Sequence, residues 1–206
     1  MTPHHFLSKL SRILFNSMKS GGGFTLPELL VSLFIFSLTI AGAGALLVSA
    51  ISVQKRSGVE QELMDQASYL AEYMSRALRQ AKKDLGAACL SQSGRNYEVS
   101  NDGASWLVNG SGDRIRFINK DGQCQSFFLE GQRMKERVGL NEYYLTSDNL
   151  QVARLGFYAA GAGQEDNLQP RVTFAIELRG RVLQTGFQPT TYMQTTVSQR
   201  KIDVPN

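Results

Sequence analysis

The sequence predicts an α+β fold: one long N-terminal helix, membrane-spanning in its first half, with its second half laid on an antiparallel β-sheet. Three observations carry this reading. Leu29 to Val53 contains no charged residue. From Val59 to Leu85 the apolar residues recur in steps of three and four, the spacing of one helical face. After Gly86 the pattern breaks into short alternating or β-branched runs separated by Gly, Asn and Asp, the residues of turns.

Composition removes several function classes. A chain of 206 residues suits one domain plus an appendage. Its net charge is +4, but Lys9, Arg12 and Lys19 precede every acidic residue, and beyond residue 23 there are 19 basic against 18 acidic groups. No basic stripe with interleaved aromatics follows, so no nucleic-acid site is expected. His4 and His5 are the only histidines. The rest of the chain therefore has no imidazole for nucleophile activation, general-base catalysis or metal ligation. Neither enzymatic activity nor a cofactor is expected.

The apolar run comes first in the chain. Its 25 positions make a helix of roughly 37 Å, enough to cross a hydrocarbon core of about 30 Å. Leu30, Val31, Leu33, Phe34, Ile35, Phe36 and Leu38 put apolar surface on every side, unlike an amphipathic core helix. Before it stands Gly21-Gly22-Gly23-Phe24-Thr25-Leu26-Pro27-Glu28. Pro27 suits a first helical turn, where its missing N–H has no intrahelical partner anyway. Glu28 interacts well with the helix dipole, yet an ionisable group at the mouth of a membrane span ordinarily needs a partner. Cutting the chain between Gly23 and Phe24 would create one, an α-amino group one turn away, on the same chain or on a neighbour.

A short basic leader ending in Gly, then Phe-Thr-Leu-x-Glu, then an apolar helix, resembles a type IV prepilin or pseudopilin over about 30 residues. The resemblance implies a pilin-like fold and a non-enzymatic structural subunit. It implies a leader (residues 1–23), a transmembrane and filament-core helix (24–53) and an extracytoplasmic globular domain (54–206). Gly23 is then the residue before the prepilin peptidase cut, Phe24 the methylated N-terminus, and Glu28 the acid that registers each subunit against its neighbour. The implied partners are prepilin peptidase, other pilin or pseudopilin subunits, an inner-membrane assembly platform and, before assembly, membrane lipid. The 23-residue leader is longer than in many relatives, and Pro27 stands where Ile or Val is frequent. The large domain leans toward a minor subunit.

Other readings of the same segment stay open. Ala41-Gly42-Ala43 and Ala43-Gly44-Ala45 offer the small residues of a secretory signal cleavage site. An uncleaved membrane anchor is the third reading. Either would make the chain an extracellular binding module outside any filament. Lys55 and Arg56 at the far end of the span weaken the charge bias of the leader. The resemblance therefore carries the orientation.

No proline falls between Pro27 and Pro170, so one helix is expected from about Phe24 to Leu85. Gly42, Gly44 and Gly58 each weaken it by roughly 1 kcal/mol and are where bending would fall. Val59, Leu63, Ala67, Leu70, Met74, Ala77, Leu78, Ala81 and Leu85 form the docking stripe. Strands are predicted at Ser105–Val108, Arg114–Asn119, Gln123–Glu130, Arg133–Val138, Asn149–Tyr158, Arg171–Arg179 and Tyr192–Ser198. Gly161-Ala162-Gly163 lacks the Lys-Ser/Thr of a phosphate loop and reads as a hairpin tip. Asp102, Asp121 and Asp148 do not have EF-hand spacing, and no metal site is assigned. Cys89 and Cys124, the only cysteines, lack metal-ligand spacing. In an oxidising compartment they would form a disulfide if close, closing a loop worth about 4 kcal/mol in the chain-entropy model. Two buried thiols are the alternative.

Overall fold

The computed structural model describes residues 23–163, 168–180 and 186–200; leader residues 1–22 lie outside them. Helix α1 (Leu26–Arg79) is followed by β1 (Glu98–Ser100), β2 (Gly110–Gly112), β3 (Arg114–Ile118), β4 (Cys124–Glu130) and β5 (Arg133–Val138). Then come β6 (Asn141–Tyr144), β7 (Gln151–Ala160), β8 (Arg171–Arg179) and β9 (Thr190–Ser198). The strands form two antiparallel sheets where one was expected, in the orders β1-β3-β4-β5-β6 and β2-β7-β8-β9. The chain divides into two compact units between Ser52 and Val53.

In the first unit the helix is uninterrupted through Gly42 and Gly44. Its most apolar window has a mean hydropathy of 2.2 and contains no buried residue. The hydroxyls of Ser37, Thr39 and Ser52 donate to carbonyls three or four residues earlier, at 2.7–2.8 Å. These polar groups are thus satisfied within the helix, as a lipid environment demands.

In the second unit, Leu63, Ala67, Leu70, Met74 and Leu78 of α1 are buried, each large apolar side chain contributing roughly 1.5–3 kcal/mol. They join Ile115, Phe117, Phe127 and Met134 of the first sheet and Phe157, Val172, Phe174 and Ile176 of the second in one core. β8 alternates cleanly, with Val172, Phe174, Ile176 and Leu178 inward. Beneath the helix, the Tyr73 hydroxyl and the Gln125 amide donate to the buried Glu136 carboxylate. Where β2 passes β1, a Cβ at Gly112 would lie 2.6 Å from the Ser100 amide nitrogen. Only glycine permits that approach.

The helix ends at Arg79, six residues short of the expected Leu85. Apolar spacing continues, but tertiary partners take over the backbone. The Lys82 amide donates to the Ile118 carbonyl, and Asp84 pairs with Arg95. The last helical carbonyls, which lack intrahelical donors, are met from elsewhere. Leu78 accepts from the Tyr97 hydroxyl, Arg79 from the Arg200 amide and Ala81 from the Gln199 amide side chain. Leu85 is consequently exposed.

Ser105–Val108 is not a strand. Its one ladder contact is Leu107 with Val99, at 2.8 Å in both directions, and the Trp106 indole turns back to donate to the Gly103 carbonyl. β1, β2 and β6 were not anticipated; β2 is the three-residue Gly110-Ser111-Gly112, whose glycines read as a turn. β1 is hidden by Glu98, a charged residue that is fully buried because Arg95 and Arg116 hold it at 2.5 and 2.6 Å. β6 is an exposed polar edge with no alternation to reveal it.

Candidate processing and assembly site

Gly23, Phe24 and Thr25 precede the helix in non-helical conformation, and all three are exposed. The Thr25 carbonyl accepts from the Leu29 amide at 3.2 Å, which makes Thr25 the N-cap. Thr25-Leu26-Pro27-Glu28 has the spacing of a capping box, a signal present in the sequence that reading it for processing alone passes over. Glu28 sits in the first turn, where the helix dipole favours its charge. Among the described residues nothing forms an ion pair with it. Phe24 is 78% exposed.

Gly23 is not demanded by the local fold. A Cβ there would meet nothing within 4 Å, and its φ is not in the left-handed region.

The cysteines lie in the second unit. The structure joins Cys89 to Cys124 with Cα atoms 5.2 Å apart at a sequence separation of 35. Leu90 and Ile118 pack around the pair. Asp84 fixes the segment that carries Cys89. Its carboxylate accepts from the amides of Gly86, Ala88, Cys89 and Leu90 at 2.8–3.2 Å. Burial alone would raise the Asp84 pKa, but these four donors outweigh it and hold the group below the usual carboxylate range. Glu98 behaves alike. Burial opposes its charge, while Arg95, Arg116 and the Ser91 amide hold its pKa below the usual value.

The acidic residues outside these networks are used locally. Asp102 caps the turn after β1 by accepting from the Ala104 and Ser105 amides and the Ser100 hydroxyl. Asp148 pairs with Arg133 at 2.5 Å. Among the described residues there is no group of three His, Cys, Asp or Glu able to hold a metal ion. Gly161, Ala162 and Gly163 lie after β7, with φ +66° at Gly161. Residues 164–167 of the same connection lie outside the described residues.

The site is thus a short extended segment, an N-capped helix with an unpaired carboxylate in its first turn, and an apolar surface open on all sides. A single apolar helix long enough to cross a membrane, with its start exposed, suits a membrane-anchored chain. Residues 18–44 match the family described as the prokaryotic N-terminal methylation motif. Together with the long apolar helix, the match fits a type IV prepilin-like protein. Residues 45–206 lie beyond the matched segment. No curated protein and no solved structure matches the chain.

Proposed function

We propose that this chain is a structural subunit, a minor pilin or minor pseudopilin, assembled into a type IV pilus or a type II secretion-like filament. Prepilin peptidase cuts between Gly23 and Phe24 and methylates the new Phe24 amine. The observation that carries this reading is the methylation motif over residues 18–44, placed at the head of a helix whose apolar window buries nothing. Such a helix rests in lipid and then moves into a bundle of like helices. Both surroundings are apolar, so the transfer does not require exposing that surface to water. The free Glu28 carboxylate takes a neighbour's Phe24 amine as its partner and sets the axial step, with the inner-membrane platform supplying subunits. Residues after 53 lie outside the cytoplasm, an oxidising location that keeps Cys89 and Cys124 bonded. The long strand series of the second unit favours a minor over a major subunit.

The N-terminus of the membrane-extracted protein tests the reading. Mass spectrometry is expected to find methylated Phe24 as the first residue. An intact leader, or a start near Gly44 or Leu46, would overturn it. Glu28→Ala is expected to retain membrane insertion but lose incorporation into filaments; unchanged incorporation would remove the role assigned to Glu28.

A further inference from the structure

β9 is an edge of the second sheet, and nothing in it discourages a further strand. Thr190–Ser198 contains no charged residue, no proline and no glycine. Its nine pairs with β8 run from Arg171↔Ser198 to Arg179↔Thr190 without a slip. Natural edges are ordinarily blunted by lysine, proline, a bulge or short length. The other sheet edges here follow that practice, since β1 and β2 have three residues each and β6 has four. The nine residues of β9 offer roughly 30 Å of edge, at about 3.3 Å per residue.

Alongside this edge, between β9 and α1, runs a groove of about 1230 Å³. Its helix side includes Ser68, Ser75 and Arg79, and its strand side Met193, Thr195 and Arg200. The charge is lopsided. Arg76, Arg79 and Arg200 line the groove against a single carboxylate, Glu72, which is bonded to Arg76 at 2.5 Å. Among the described residues no carboxylate pairs with Arg79 or Arg200.

We propose that the β9 edge and its groove capture an extended acidic segment of another polypeptide. The segment adds to the second sheet as a fifth strand and sets its carboxylates against Arg79 and Arg200. In strand addition the main chain supplies the hydrogen bonds and alternate side chains supply selectivity. A second copy of this chain is a poor donor. The carboxylate of β1, Glu98, is buried and held by Arg95 and Arg116. That of β6, Glu142, is bonded to Lys135 and Arg137. β9 has none. The occupant proposed is a segment of a different protein. The inference rests on β9 and its groove alone and stands independently of processing at Gly23.

The test uses the full chain in detergent micelles and a fluorescein-labelled nonapeptide of alternating threonine and glutamate. A threonine–lysine counterpart and a fully N-methylated threonine–glutamate peptide serve as comparisons. Fluorescence anisotropy is expected to show the acidic peptide binding at least about tenfold tighter than the lysine peptide, with no binding by the N-methylated one. Replacing both cations, Arg79→Glu with Arg200→Glu, is expected to invert the preference toward the lysine peptide. An unchanged Trp106 thermal melt shows that the variant is folded. Equal binding of acidic and basic peptides, survival of binding after N-methylation, or absence of binding by the acidic peptide overturns the proposal. Binding that emerges only after residues 201–206 are deleted would assign the groove to this chain itself and also overturn it. So would copy-to-copy disulfide formation by Gln194→Cys.

Discussion

Asp84→Ala is expected to destabilise the globular unit by about 4 kcal/mol, because two buried amides depend on this one carboxylate. The Cys89 and Leu90 amides donate to it at 2.8 Å in buried surroundings, and each orphaned buried donor costs roughly 1–3 kcal/mol. The Gly86 and Ala88 amides are partly exposed and turn to water with little loss. For a unit of this size each kcal/mol lowers the melting temperature by about 2–4 °C, so the expected fall is about 8–16 °C. The Cys89 and Leu90 amides bond the same carboxylate oxygen, so Asp84→Asn, which keeps one acceptor oxygen, should lose clearly less than Asp84→Ala. Trp106 is the only tryptophan, and its indole is seated between the Gly103 carbonyl and the Arg116 guanidinium. Its fluorescence in a thermal melt of the detergent-solubilised chain therefore reports on this region. If Asp84→Ala melts within about 2 °C of the parent, or Asp84→Asn is the worse of the two, the carboxylate is not what holds the segment.

The same groups set an acid limit. Asp84 and Glu98 have folded-state pKa values below their unfolded values. Their stabilisation is complete above about pH 4.5, where the unfolded carboxylates are ionised, and is lost as pH falls through the native values. Melting temperature should be level above about pH 5 and fall below about pH 4, and Asp84→Asn should flatten that fall. Cys89→Ser with Cys124→Ser should lower stability by about 4 kcal/mol through the loop of 35 residues that the bridge closes. Denaturant titration of oxidised and reduced protein checks it, and equal midpoints would remove the bridge from the stability of the unit.

Much of the fold was legible because it depends on neighbours in sequence. Arg133–Val138 and Arg171–Arg179 are strands with the predicted bounds, since alternation and flanking turns are local signals. The stripe from Leu63 to Leu78 is buried as its spacing required. What failed depended on distant partners. The last helical turn yielded to Ile118, Gln199 and Arg200. Glu98 concealed a buried strand because its compensating cations, Arg95 and Arg116, are brought to it by the fold. The methylation motif that contains Gly23, Phe24 and Glu28 is readable for the opposite reason. It is a linear string in exposed chain at a helix start, so its geometry needs no tertiary contact.

The amino-acid order by itself determined the apolar span, the N-capped helix start with its acid, and the existence of a strand-rich second half. Each follows from hydropathy, spacing and backbone preference within a few residues. Only the tertiary structure decided that the strands divide into two sheets, that Asp84 gathers four amides, and that β9 is left as a long edge beside Arg79 and Arg200. Those outcomes turn on which groups meet across the chain. Burial and backbone pairing settle such meetings collectively, and no local window contains both partners.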